Sequence, residues 1–218
     1  MSHKENQIPF LYRRVLLEEN QCMEILNEFW KNKHYHRRFE SYFKVATQIS
    51  CKFSEKNSRI LLSKSVNYIW DALEVAIQDY VKLYPQAGDL HLDWGMSNSF
   101  NLQFYNPNEG FKEWHAENLP TLERFLVWTI YLSNTPDAGT EFLNQNHIEE
   151  CKMGKVVICP ADWQFTHRGQ ISTSHCKFIA TGWYSYFVKD YDFNTAPEIS
   201  ILSTRFPSLK TLRQRDKK

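Results

Sequence analysis

Ser99-Phe100-Asn101-Leu102-Gln103-Phe104-Tyr105-Asn106 alternates strictly, with Phe100, Leu102 and Phe104 on one side and Asn101, Gln103 and Tyr105 on the other. Successive side chains of a strand point to opposite faces, so this stretch predicts a half-buried strand. Arg124 to Ser133 is apolar and rich in β-branched and aromatic residues, and Lys177 to Phe187 alternates again. Thr135-Pro136-Asp137-Ala138-Gly139 carries the turn chemistry that redirects the chain toward Thr140-Glu141-Phe142-Leu143, and Lys155 to Cys159 reads as another short strand. Many short strands punctuated by turns, with helices before them, point to a mostly β fold with flanking helices (α+β). The expected form is a two-sheet jelly roll with N-terminal helices packed outside it.

Those helices lie upstream. Val66, Ile69, Trp70, Leu73, Ile77, Tyr80 and Val81 line one face of a helix over 66–83 that Pro85 stops, with Trp70 and Tyr80 expected in the core. Leu17 to Lys31 places Cys22, Ile25, Leu26 and Phe29 at helical spacing, with an acidic start and a basic end that suit the helix dipole. Between them His34 to Phe53 is mixed, with Lys44 to Ser50 readable as a short strand. A single domain over 1–218 is expected: largely helical support over 1–90, a β core over 91–190 and a C-terminal extension over 191–218.

At 218 residues the chain is long enough to bury a sizeable core. Lys plus Arg at 26 against Asp plus Glu at 25 leave a net charge of +1, so no global field favours nucleic acid or an acidic membrane. Five widely spaced cysteines without a CxxC pair argue against a disulfide framework or a zinc ribbon and suit a reducing, cytoplasmic setting. The polar N-terminus lacks the pattern of a secretory signal, and no stretch is apolar for long enough to span a bilayer.

The chemistry concentrates between Tyr105 and Tyr186. In Trp114-His115-Ala116-Glu117 an imidazole and a carboxylate sit two residues apart, which on an extended strand puts both on one face. A second imidazole follows in Thr166-His167-Arg168-Gly169, and Lys177 comes ten residues after it. Two imidazoles and one carboxylate make the facial triad that leaves positions open on non-haem Fe(II).

The ordered set resembles the Fe(II)/2-oxoglutarate-dependent dioxygenases, in their prolyl-4-hydroxylase-like branch. It comprises Gln103-Phe104-Tyr105-Asn106-Pro107, His115-Ala116-Glu117, Arg124 with Val127-Trp128-Thr129-Ile130-Tyr131-Leu132-Ser133, Ala138-Gly139-Thr140-Glu141-Phe142, Gly154-Lys155-Val156-Val157-Ile158-Cys159-Pro160-Ala161, His167-Arg168-Gly169 and Lys177. The resemblance covers roughly the C-terminal half. It implies a double-stranded β-helix, the cupin-like jelly roll, with iron near its open mouth and Fe(II), 2-oxoglutarate and O2 as cofactor and co-substrates. It also implies His115, Glu117 and His167 as catalytic iron ligands, and Lys177 as the cation for the distal carboxylate of 2-oxoglutarate. Tyr105 would be its hydroxyl partner, and Thr181, on the same strand face as Lys177, is the third candidate cofactor-binding residue. The implied reaction hydroxylates an unactivated C–H of a peptidyl residue or a small amino-acid-like substrate and releases succinate and CO2. Glu117 stands where most members carry Asp; a retained carboxylate argues against a halogenase.

Bland readings stand beside these. A histidine on a strand is more often a satisfied core or surface residue than a ligand, and His34, His36, His91, His147 and His175 belong in that class. Arg124 and Glu141 read either as a surface ion pair or as groups at the mouth that orient substrate, and Trp183, which continues the Lys177, Ile179, Thr181 face toward the site, is a third candidate substrate contact. A nucleic-acid substrate would call for a basic stripe with stacking aromatics. The Arg213, Arg215, Lys217, Lys218 tail reads more simply as a solvated terminus. The alternative function is a non-catalytic jelly-roll ligand- or metal-binding module, which would need a broken triad, or a zinc-binding fold using the same His and Glu residues. The outer helices leave a homodimer open.

Overall fold

The chain runs β1 (Tyr12–Val15), α1 (Glu19–Lys31), β2 (Arg37–Glu40), β3 (Lys44–Lys52), α2 (Ser63–Leu83), a single turn α3 (Pro85–Gly88), β4 (Trp94–Tyr105), β5 (Gly110–Phe111) and β6 (Arg124–Tyr131). It continues through β7 (Thr140–Phe142), β8 (His147–Glu149), β9 (Lys155–Pro160), β10 (His167–Gly169) and β11 (Lys177–Tyr186). This computed structural model describes residues 8–52, 63–90, 93–118 and 123–186. The basic tail over 191–218 and His91 lie outside the described residues.

The larger sheet has the order β1-β9-β6-β11-β4-β3-β2, with β5 beside β3, and the smaller has the order β10-β7-β8; every pairing is antiparallel. It is the mostly β jelly roll with outer helices that the alternation predicts. Because side chains alternate, the larger sheet has two distinct faces. Phe100 and Leu102 of β4, Leu126, Trp128 and Ile130 of β6, and Phe178, Ala180 and Tyr184 of β11 join the helical residues Cys22, Ile25, Phe29, Ile69, Leu73 and Ile77 in one apolar core. Each Leu, Ile or Phe side chain among these contributes about 1.5–3 kcal/mol by withdrawal from water. Tyr105, Val127, Tyr131, Val157, Cys159 and Ile179 face the other way, where Phe142 of the smaller sheet meets them.

Close packing on the helical side constrains one glycine. A Cβ on Gly182 would lie 2.5 Å from Cζ2 of the fully buried Trp128, so only glycine lets β11 run alongside that indole.

Both helices stop where the sequence predicts, at Lys31 and Leu83, but α1 starts two residues later than Leu17 and α2 three residues earlier than Val66. The Gln21 side chain accepts the Glu18 N–H at 2.8 Å to close the N-terminus of α1, and α2 ends at Leu83, two residues before Pro85. The expected support region, 1–90, also supplies β1, β2 and β3 to the larger sheet. β2 has all four residues exposed, so no burial pattern marks it; backbone pairing to β3 alone makes it a strand. Likewise β4 starts at Trp94, earlier than the alternation that begins at Ser99. All five cysteines are free thiols. Among the described residues no helix is long and apolar enough to cross a membrane.

Candidate metal centre

His115, Glu117 and His167 come together from three separately anchored places. His115 and His167 exchange backbone hydrogen bonds, His115 N to His167 O at 3.0 Å and the reverse at 2.9 Å, while Glu117 N donates to Ala161 O at 3.0 Å. His167 opens β10, whose pairing to Phe142 of β7 fixes its height in the smaller sheet. The His115 ring stacks on Phe111 with centroids 3.9 Å apart, and the His167 ring lies 5.8 Å from that of Phe142.

The tautomers follow from the partners. His115 Nδ1 lies 3.0 Å from Glu113 O and His167 Nδ1 lies 2.8 Å from Phe165 O. A carbonyl only accepts, so both Nδ1 atoms carry hydrogen and each neutral ring turns the lone pair of Nε2 toward Glu117. The Nε2 to Glu117 Oε1 distances are 3.5 Å for His115 and 3.8 Å for His167, too long for well-made hydrogen bonds. Two ligands each about 2.1 Å from a shared metal lie at most about 4.2 Å apart, and both distances fall inside that bound. The three ligand atoms lie within 4.8 Å of one another, so the two imidazole nitrogens need close by no more than about 0.6 Å to share one ion. The donor set fits a divalent transition metal with sites left open.

Electrostatics agree. Burial would raise the Glu117 carboxyl, but the two imidazoles beside it and the Arg124 guanidinium outweigh it and hold it at about 2. Burial first, then the neighbouring His115, lowers the affinity of His167 for a second proton. The site therefore offers an ionised carboxylate and a neutral His167 imidazole, the protonation states that metal binding needs.

Lys177 sits across the same interior. It pairs in register with Tyr105 on β4, and its Nζ lies 5.9 Å from the Tyr105 ring and 5.7 Å from the Tyr131 ring. Its hydrogen bond is to Gly139 O at 3.1 Å, and a Cβ on Gly169 would lie 3.8 Å from the ammonium. Among the described residues no carboxylate pairs with it. Burial lowers it from 10.5 to about 8. A buried cation answered only by a carbonyl and two ring faces is a receptor for an anion.

The other sequence-predicted residues divide. The Tyr105 hydroxyl is hydrogen-bonded to Gln103 Oε1, and the Thr181 hydroxyl donates to Trp128 O at 2.9 Å. Arg124 and Glu141 do not pair with each other. Arg124 bonds Glu117 Oε2 at 2.8 Å, whereas Glu141 takes Arg168 at 2.7 Å, which also covers the Trp114 ring. Trp183 Nε1 donates to the same Glu117 Oε2 at 2.9 Å. Tyr131 and Gly139, which wall Lys177, were not singled out by sequence reading. The sequence signals for Tyr131 are its place in the Val127–Ser133 run of the resemblance and its position two residues from Thr129 on the inner face of β6.

No protein-family model and no curated protein matches the chain by sequence. Solved structures do match. A viral collagen prolyl hydroxylase from Paramecium Bursaria Chlorella virus-1, in its 2OG complex, superposes with a TM-score of 0.59 over 82% of this chain and 97% of its own, at 14% identity. A prolyl-4-hydroxylase from Pseudomonas putida gives a TM-score of 0.60 at 12% identity, over 82% and 94% of the two chains. The fold is that of the prolyl hydroxylases. A third of this fold, a Trichoplax adhaerens prolyl hydroxylase in complex with a hypoxia inducible factor oxygen degradation domain peptide fragment, has a TM-score of 0.60 at 11% identity, covering 82% of this chain and 83% of its own.

Proposed function

We propose that the protein is an Fe(II)- and 2-oxoglutarate-dependent oxygenase that hydroxylates an unactivated C–H of a peptidyl residue or a small amino-acid-like substrate. The observation that carries the reading is the convergence of two Nε2 lone pairs and one carboxylate oxygen, with both Nδ1 hydrogens already committed to backbone carbonyls. The prolyl hydroxylase fold and the unpaired buried Lys177 support it.

In this reading His115, Glu117 and His167 hold the iron by three ligands and leave the remaining positions for 2-oxoglutarate and O2. Iron with 2-oxoglutarate and O2 would supply the oxidising power to hydroxylate an unactivated C–H, with succinate and CO2 as co-products. The chain's own work is positioning. Lys177 neutralises the distal carboxylate of 2-oxoglutarate, and Tyr105, beside it in register, would offer its hydroxyl to the same group by giving up its bond to Gln103 Oε1. Tyr131, whose ring lies 5.7 Å from the ammonium, and Ile179, its register partner on β11, make that end of the interior less polar than water and so strengthen the pair. Phe111 stacks on the His115 ring, and Phe142 packs against the His167 ring at a tilt.

The test is succinate release from 2-oxoglutarate by anaerobically purified protein given Fe(II) and then air, with and without free amino acids and proline-containing peptides. Turnover stimulated by one class of compound, and lost in His167→Ala with the fold intact, is the expected outcome. Absence of turnover together with absence of 2-oxoglutarate binding to the Fe(II) protein would favour the binding-module reading.

A further inference from the structure

We infer that Arg124 and Trp183 are positioning residues that clamp one oxygen of Glu117 and thereby make its other oxygen a single-point metal ligand; the inference rests on the metal reading above. Glu117 Oε2 accepts hydrogen bonds from Arg124 Nη1 at 2.8 Å and from Trp183 Nε1 at 2.9 Å. A carboxylate oxygen has two in-plane lone pairs, and these two donors use both. Oε1 is left facing the imidazoles. A carboxylate held in this way does not chelate through both oxygens, so it takes one coordination position and leaves the others to small molecules.

The clamp is needed because Glu has one more freely rotating bond than Asp. Arg124 Nη1 also donates to the Glu117 backbone O at 3.1 Å, so a single guanidinium ties the main chain and the carboxylate of the same residue and fixes the torsions between them. The guanidinium in turn lies 3.6 Å from the centroid of the Trp183 ring, so the second donor braces the first. Arg124 and Trp183 come from adjacent strands, β6 and β11, whose register is set by the core behind them. The arginine and glutamate side chains are only 18% and 15% exposed, which separates this pair from a rim salt bridge that water would screen. The two residues therefore reach the reaction through Glu117, not through contact with substrate.

The test uses Trp183→Phe, which keeps the ring under the guanidinium and removes only the N–H, and Arg124→Gln, with Arg124→Lys as the conservative rescue. Co(II) is titrated into the apo full-length protein without substrate and followed by its visible absorption, and Fe(II) affinity is obtained by competition. Loss of an outer partner of a metal ligand typically weakens metal binding about 10- to 100-fold. That loss is expected in Trp183→Phe and Arg124→Gln, with a changed Co(II) spectrum, partial recovery in Arg124→Lys, and an unchanged KM for the oxidised substrate at saturating Fe(II). Co(II) affinity and spectrum within twofold of wild type in both variants would overturn the clamp, as would a KM that rises while metal affinity stays fixed. Failure of the metal reading looks different: wild type would then bind no Co(II), or bind it equally well after His167→Ala.

Discussion

Replacing Lys177 by Met separates the cost of a buried charge from its use. In the folded chain the ammonium is buried and its proton affinity is lowered from 10.5 to about 8, first by burial. Each tenfold in proton affinity is about 1.4 kcal/mol, so holding the charge inside costs the folded state about 3 kcal/mol at neutral pH. The sign follows from which state binds the proton more weakly. Below about 8 both states are charged and the full cost applies; between about 8 and 10.5 the folded chain has lost the proton while the unfolded chain keeps it, so stability rises with pH and the cost disappears. Lys177→Met is close to volume-conserving. It should therefore be more stable than wild type by up to about 3 kcal/mol at pH 7, in urea unfolding of the apo protein, with the difference fading above pH 8. The same variant should bind 2-oxoglutarate at least about 100-fold more weakly, since a buried carboxylate then loses its cation, a loss of about 3 kcal/mol or more. Anaerobic titration of the Fe(II) protein measures this. A variant that is less stable than wild type at pH 7, or that binds 2-oxoglutarate undiminished, would refute the account of Lys177 as an unpaired cation waiting for an anion.

Wild-type affinity for 2-oxoglutarate should fall as pH rises past about 8, with the midpoint displaced upward by the bound anion, while Lys177→Arg, whose guanidinium stays charged, should show a flat profile; Kd measured from pH 7 to 9.5 checks both. A Cβ on Gly139 would lie 2.0 Å from Glu149 O, a backbone atom that cannot rotate away, so Gly139→Ala should lower stability by about 3 kcal/mol in thermal unfolding and weaken 2-oxoglutarate binding by shifting the carbonyl that holds Lys177. Glu149 is buried with Lys155 at 2.6 Å and Arg13 at 3.2 Å, and although burial pushes its carboxyl up, the hydrogen bonds of Lys155 and His147 bring it below its ordinary value. Its contribution is present above pH 4.5 and lost as the pH falls through that lowered value, so Glu149→Gln should cost about 3 kcal/mol at pH 7 and progressively less in acid, read by urea unfolding across pH. Phe29→Ala, at the junction of α1 with Phe178, should cost about 3–5 kcal/mol without changing metal affinity.

What the sequence made legible follows from the length of each pattern. Asn101, Gln103 and Tyr105 are on the inner face and Phe100, Leu102 and Phe104 on the outer one, as eight alternating residues predict, and the two long helices have enough turns for their apolar stripes to be unambiguous. β5, β8 and β10 are two or three residues long, too short for alternation to register. Their existence depends on partners far away in the chain. The site divides the same way. His115 and Glu117 are two residues apart and could be read locally. The contact of Trp183 with Glu117 spans 66 residues and belongs to the register of β11 against β6, which no local pattern encodes. Arg124 and Trp183, which the sequence suggested as substrate groups, look different once Glu117 Oε2 is seen to stand between them.

The two-faced sheet limits how such a site can change. Along β11 the residues Lys177, Ile179 and Thr181 serve the interior while their immediate neighbours Phe178, Ala180 and Gly182 serve the helical core. Deleting one residue at the start of that strand would exchange the two sets at a stroke, driving a lysine under the helices and a phenylalanine into the anion site. Point substitutions can retune this interior one side chain at a time. Insertions and deletions are confined to connections such as residues 170–176, which join strands without belonging to either face.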